Sequence, residues 1–214
     1  MGRIKTVFND NKLFFIGYII ILILGSSILF TNGKLQTFYL LNPYHHLYLN
    51  YLFYFFTILG DGFFCVPLAF AFLIIKRKRL FWLLLSSYIV SGIIVLLLKN
   101  FIDEARPSMF DDLKNYPYFI EHITLHNMHG FPSGHTASAF GGVSVLAFYS
   151  RSKIIPALIL LIVGMLIGYS RIYLGQHFIS DVMVGSVIGV ASGIFCWIVV
   201  NKKFYAKNFS QKEE

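Results

Sequence analysis

The chain has 214 residues, 57% of them hydrophobic and 18% aromatic, with only 13% charged. That balance lies outside the range of soluble globular domains and points to an integral membrane protein. Eighteen Lys and Arg against ten Asp and Glu give a formal charge of +8, but their placement argues for membrane topology and against nucleic acid as a partner. No polar stretch is long enough to hold a core of its own, so residues 1–214 read as a single membrane domain. Cys65 and Cys196 both lie in apolar runs, which excludes a disulfide framework or a zinc knuckle.

Crossing about 30 Å of hydrocarbon takes roughly 20 mostly apolar residues in a helix. Six runs meet that need or approach it: Leu13–Phe30, Phe53–Ile75, Leu80–Leu98, Thr136–Tyr149, Ile154–Tyr173 and Ile179–Val200. They predict an all-α, polytopic bundle of six transmembrane helices. The first run follows Arg3, Lys5 and Lys12 as a signal peptide would, but it is too long and no small-residue cleavage site follows, so it is expected to be retained. Met1-Gly2-Arg3-Ile4-Lys5-Thr6 also fits a myristoylation pattern, an anchor that a spanning helix makes redundant. Asp61, between Gly60 and Gly62, is the acidic residue deep inside a run, about 21 Å from Ile75 at 1.5 Å per residue. Acids at such depth pair with a partner or face a cavity, so either a structural pair or a place beside a substrate pocket is expected. The fourth run carries Ala137, Ser138, Ala139, Gly141 and Gly142, small residues that predict a helix packed closely inside the bundle.

Orientation follows from the basic residues of the connections. Arg3, Lys5, Lys12, Lys76-Arg77-Lys78-Arg79, Arg151, Lys153, Lys202, Lys203, Lys207 and Lys212 fall on one side. Lys34, Lys99, Arg106, Lys114 and Arg171 fall on the other, with all seven histidines. Both termini are therefore expected in the cytoplasm of a multi-pass cell (inner) membrane protein. His45 and His46, among Tyr44, Tyr48 and Tyr51, are expected in an aromatic belt at the outer interface.

Three polar groups share the lightly charged side: Lys99-x6-Arg106-Pro107, Pro132-Ser133-Gly134-His135 and Ser170-Arg171-x5-His177-x3-Asp181. Antiparallel spans with short loops can gather them in one pocket at the extracytoplasmic interface. If a helix begins near His177, Asp181 shares its face, accepts the Nδ1 proton and leaves Nε2 as a nucleophile. Lys99, Arg106 and Arg171 supply the positive charge that phosphoryl oxygens need, and Ser133 and the Gly134 amide add neutral donors. A protonated His135 can give its proton to a departing oxygen. Nothing in this chemistry requires a metal or another cofactor.

In order and internal spacing these groups match the three-part signature of the type 2 phosphatidic acid phosphatase family, which glucose-6-phosphatases, nonspecific bacterial acid phosphatases and vanadium haloperoxidases share. The chain resembles that family over about residues 50–200. The resemblance implies a six-helix membrane phosphatase that hydrolyses a phosphate monoester or pyrophosphate on a lipid through a phosphohistidine. It implies His177 as nucleophile, Asp181 as its orienting partner and His135 as acid, with Lys99, Arg106, Ser133, Gly134 and Arg171 around the phosphate. Polyprenyl (undecaprenyl) pyrophosphate ranks first among lipids reachable from the outer face, ahead of phosphatidylglycerol phosphate, phosphatidic acid and a lipid A phosphate.

Other readings stand beside this one. Taken singly, Lys99, Arg106 or Arg171 could snorkel to headgroups, His177 with Asp181 could be a helix-end hydrogen bond, and Ser133 could cap a helix. His122, His126 and His129 have spacings that metal ligands also use, although solvated histidines do as well. A phosphotransferase would pass the phosphoryl group to a second lipid or sugar in place of water. A transporter or binding protein for phosphorylated lipid would need the cations but neither a nucleophile nor an acid.

Overall fold

The computed structural model describes residues 2–113, 116–118, 127–150 and 154–210, with side chains described from Thr6 to Lys202 at the two ends. Eight α-helices follow one another: α1 (Gly2–Asp10), α2 (Lys12–Leu41), α3 (Leu47–Leu59), α4 (Gly62–Ile74), α5 (Lys78–Phe101), α6 (Gly134–Tyr149), α7 (Ile154–Tyr173) and α8 (Ile179–Ser210). Two short 3-10 turns, Pro107–Met109 and Asp111–Leu113, lie between α5 and α6. Among the described residues there is no strand.

The helices α2, α5, α7 and the Ile179–Lys202 part of α8 are each long and apolar enough to cross a membrane, and α3 with α4, bent by 55° at their junction, meet the same measure when taken together. The protein is an all-α membrane protein. Apolar side chains such as Ile19, Ile23 and Leu24 of α2 and Leu96 and Leu97 of α5 remain exposed, as on surfaces turned to acyl chains, which are no less apolar than leucine.

Two of the expected spans differ in form. The first continues past Phe30 to Asn32, where Thr31 and Asn32 donate to the carbonyls of Ser27 and Ile28, breaks at Gly33, whose φ is +73°, and resumes to Leu41. The second, expected as one helix over Phe53–Ile75, is divided between α3 and α4. Asp61 starts a new helix there by accepting the Phe63 amide at 2.9 Å, as short polar side chains do at an N-cap. Of this bent pair, α3 packs on α7 and α4 on α5.

The small-residue run forms α6, sixteen residues and so about 24 Å long. It is the centre of the bundle, in contact with α4, α5, α7 and α8. Its closest approach is to α8, where Gly185, Gly189 and Gly193 repeat every four residues on one face. A Cβ on Gly185 would sit 2.5 Å from the Ser133 carbonyl oxygen, one on Gly189 2.4 Å from that of Ala137, and one on Gly193 2.0 Å from Ser144 Oγ. This glycine face was not singled out in the sequence, where only the small residues of α6 were read.

Tyr44, Tyr48 and Tyr51, expected in an aromatic belt, are all exposed. His45 instead stacks on Tyr173 at 4.0 Å and Tyr118 at 4.8 Å, and burial pushes its imidazole down to about 4. His46 caps α3 by accepting the Tyr48 amide. Cys65 and Cys196 are free thiols.

The glycine contact gives a stability prediction. Gly189→Ala must push apart two backbones and should cost about 1–3 kcal/mol, read as a lowered thermal midpoint in detergent. Gly142→Ala, whose Cβ would meet nothing nearer than Leu84 at 3.9 Å, should leave the midpoint within about a degree or raise it.

Candidate active site

A cavity of about 510 Å³ opens where the C-terminal ends of α5 and α7 meet the N-terminal end of α6 and the turn before α8. Lys99, Arg106, Gly134, His135, Arg171 and His177 all line it. Three groups far apart in sequence therefore share one wall. Ser133 and Asp181, also expected at the site, stand behind that wall, both almost fully buried.

The turn between α7 and α8 positions the nucleophile candidate. Gly175 takes a left-handed φ of +66°, which ends α7 as such residues commonly do. The chain then doubles back, so that the Arg171 carbonyl accepts both the Gln176 amide at 2.9 Å and the His177 amide at 3.2 Å. His177 is only 1% exposed. Its Nδ1 lies 3.3 Å from Asp181 Oδ2, an oxygen that also accepts the Phe178 amide at 2.9 Å, while Oδ1 accepts the Ser180 hydroxyl at 2.8 Å. The carboxylate is thus fixed on three sides as the first turn of α8 forms.

The amino end of α6 comes to the same point. Ser133 donates its amide to the Asp181 carbonyl at 3.0 Å, and its hydroxyl accepts from the Thr136 hydroxyl at 2.9 Å and the Thr136 amide at 3.5 Å. The cap role is the one this geometry carries for Ser133, and it leaves Gly134 and His135 facing the cavity. His135 Nε2 lies 3.2 Å from Asp61 Oδ2. Asp61 therefore meets both expectations held for it, a structural pair and a place on the pocket.

The guanidinium groups are held by neutral oxygens. Arg106 donates to the Met128 carbonyl at 3.2 Å and to the Gln176 side chain at 3.0 Å. Arg171 donates to the Thr57 hydroxyl, and its buried Nε has no partner among the described residues. No carboxylate among the described residues lies within ion-pair distance of Lys99, Arg106 or Arg171, so their charge remains available to an anion. Burial draws the Arg106 guanidinium below its ordinary value, with Asp181 opposing, and from so high a start it stays charged at neutral pH.

Thr57 and Gln176 were not anticipated. Thr57 is a polar residue in an otherwise aromatic run, and Gln176 sits in the unread gap before His177; neither signal points to a partner in space. Of the three histidines with metal-like spacing, His122 and His126 lie outside the described residues and His129 pairs with Asp103 at 3.1 Å. No group of three or more possible metal ligands occurs among the described residues.

Fold and site together define a membrane protein with a cation-lined pocket that carries two histidines. The PAP2 superfamily pattern matches residues 80–205, and the chain belongs to that superfamily. A lipid A 4'-phosphatase of Porphyromonas gingivalis is 32% identical over 121 residues, covering 54% of this chain and 48% of the relative. Phosphatidylglycerophosphatase B of Bacillus subtilis is 30% identical over 123 residues, covering 54% of each. The chain spans about half the length of these curated relatives. Among solved structures, Aquifex aeolicus LpxE is 31% identical with a TM-score of 0.63, covering 77% of this chain and 94% of that one. A PAP2 type phosphatidylglycerolphosphate phosphatase from Bacillus subtilis, 24% identical, shares the fold with a TM-score of 0.58 over 93% of this chain and 96% of its own.

The burial of His177 sets a pH dependence. Desolvation first, then Arg171, Arg106 and Lys99, disfavour its cation and push its pKa well below 6.5, against a hydrogen bond to the Gly130 backbone. The imidazole is therefore neutral, and able to attack, down to more acid pH than an ordinary histidine. The acid limb of kcat/KM, corrected for the substrate's own ionisation, should lie below the ordinary histidine value of 6.5; a limb at or above 6.5 would contradict this.

Proposed function

We propose that this protein is a metal-independent phosphatase acting on the terminal phosphate of a membrane lipid. The observation that carries the proposal is the convergence of His177, His135 and three cations without carboxylate partners on one cavity. In the proposed reaction the lone pair of His177 Nε2 attacks phosphorus, with Asp181 on Nδ1 holding the ring. The bond between phosphorus and the lipid oxygen breaks, its electrons stay on that oxygen, and His135 supplies the proton. Water then attacks the phosphohistidine, His135 takes back a proton from it, and the P–N electrons return to His177. Lys99, Arg106, Arg171 and the Gly134 amide oppose the charge that gathers on the phosphoryl oxygens, the term that dominates phosphoryl transfer.

The names of the relatives span lipid A and phosphatidylglycerol phosphate, and a probable diacylglycerol pyrophosphate phosphatase of Schizosaccharomyces pombe is 29% identical over 147 residues. Their common ground is a phosphate at the end of a lipid, and that class is proposed here, with polyprenyl pyrophosphate retained in the panel to be tested. Counting α6 as a span gives six, with the site on the extracytoplasmic side and both termini inside. The basic run Lys76-Arg77-Lys78-Arg79, at the end of the bundle opposite the cavity, supports that orientation. A binding protein or transporter would have no use for an oriented His177 or for a second histidine on the same wall.

Two measurements test the proposal. Purified protein should release phosphate from members of a panel of lipid phosphates and pyrophosphates, in EDTA as well as without it. His177→Ala should lower that release by at least about a thousandfold while vanadate or phosphate binding persists. Near wild-type turnover by the variant, or an absolute need for added divalent ion, would refute it. For the orientation, cysteine at exposed Tyr48 in a background without Cys65 and Cys196 should react with an impermeant reagent in intact cells, and cysteine at Lys78 should not.

A further inference from the structure

Asp61 lies outside residues 80–205 and outside all three motifs, yet it reaches the site from another span. Its two oxygens do different things: Oδ1 accepts the Phe63 amide at 2.9 Å and ties the side chain to the start of α4, while Oδ2 lies 3.2 Å from His135 Nε2. The carboxylate is therefore held by backbone on one side and offered to the imidazole on the other. Asp61, Gly62 and Tyr88 line the polar cavity and also a second one of about 460 Å³, whose remaining walls are the apolar Phe63, Val66 and Pro67. In a lipid phosphate the bond to be broken joins a polar phosphoryl group to an oxygen that carries an apolar chain. The leaving oxygen belongs at such a boundary, and His135 and Asp61 stand there.

We propose that Asp61 is the positioning residue of His135, fixing the imidazole at the boundary where the leaving oxygen departs. The inference rests on the phosphatase reading above. It makes a second histidine–aspartate pair beside His177 and Asp181, assembled across two spans instead of within one helix start. Asp61 holds Nε2, so the proton given to the leaving oxygen comes from the other ring nitrogen and is returned there from water in the second step; Asp61 keeps its charge throughout. The other groups that bear on His135 are cationic or neutral: Arg171 from α7, His177 from the turn before α8, Lys99 and Tyr88 from α5, and Arg106 from the loop after α5. Among the described residues Asp61 is the carboxylate that contacts it.

The test compares Asp61→Asn and Asp61→Ser, both good N-caps that should preserve the start of α4, on two substrates of the full-length purified protein. Short-chain phosphatidic acid has a poor alkoxide leaving group and needs the acid; p-nitrophenyl phosphate has a good one and does not. Both variants should lose about tenfold to a hundredfold in kcat on phosphatidic acid with KM little changed, and far less on p-nitrophenyl phosphate. The alkaline limb of the pH profile should move to lower pH. Combined with His135→Ala, either substitution should add almost no further loss, because the two act as one unit. Equal losses on the two substrates with an unmoved alkaline limb, or losses that multiply in the double variant, would overturn the proposal. Wild-type protein that releases phosphate from neither substrate nor from any member of the lipid panel would remove the phosphatase reading itself, and this inference with it.

Discussion

Two helix backbones, those of α6 and α8, touch with almost no side chain between them, and the site depends on that contact. Within a bilayer the hydrophobic effect does not drive helices together, so close packing and polar bonds must do so. Gly185, Gly189 and Gly193 allow it, and at the end nearest the site Gly185 meets the Ser133 carbonyl. The bond from the Ser133 amide to the Asp181 carbonyl follows directly. One motif's cap is thereby fastened to the backbone of the residue that carries the other motif's carboxylate, and His135 and His177 come to face a common cavity.

The way the cations are held decides what the cavity attracts. A buried guanidinium is usually satisfied by a carboxylate, which would cancel its charge. Here Thr57, Gln176 and the Met128 carbonyl orient Arg171 and Arg106 through neutral oxygens, while the nearby carboxylates Asp61 and Asp181 are directed to histidines. Charge and orientation are supplied by different partners. A phosphate dianion entering this space meets donors already aimed and not already paired, which is the form of preorganisation that electrostatic catalysis needs.

Much of this was legible in the sequence, and the reasons differ by element. The apolar runs were readable because bilayer thickness imposes a length, and the three motifs because their spacing follows from short turns between antiparallel helices. The break at Gly60 and Asp61 was not: a bend leaves no trace in hydropathy, and Asp61 alone could not reveal whether it capped a helix or faced a pocket. Partners brought together only by tertiary packing were equally hidden. Thr57 stands 114 positions from Arg171, and Gln176 stands 70 from Arg106, distances across which no local pattern operates. The α8 glycines were visible as residues, but their meaning lay in the backbone opposite them.

The turn that ends α7 sets a length, and the length has a consequence for life in a membrane. Spans tilt and shift as the surrounding bilayer thins or thickens, and a site assembled from several helices would be expected to feel such movements in every internal distance. Arg171 and His177 do not hang from separate helices, because the carbonyl of the first accepts the amide of the second across the turn at Gly175. The guanidinium and the imidazole are carried as one body, whatever angle α7 adopts. The five residues between them act as a ruler: adding or removing one would open the turn and set the guanidinium and the imidazole to different registers.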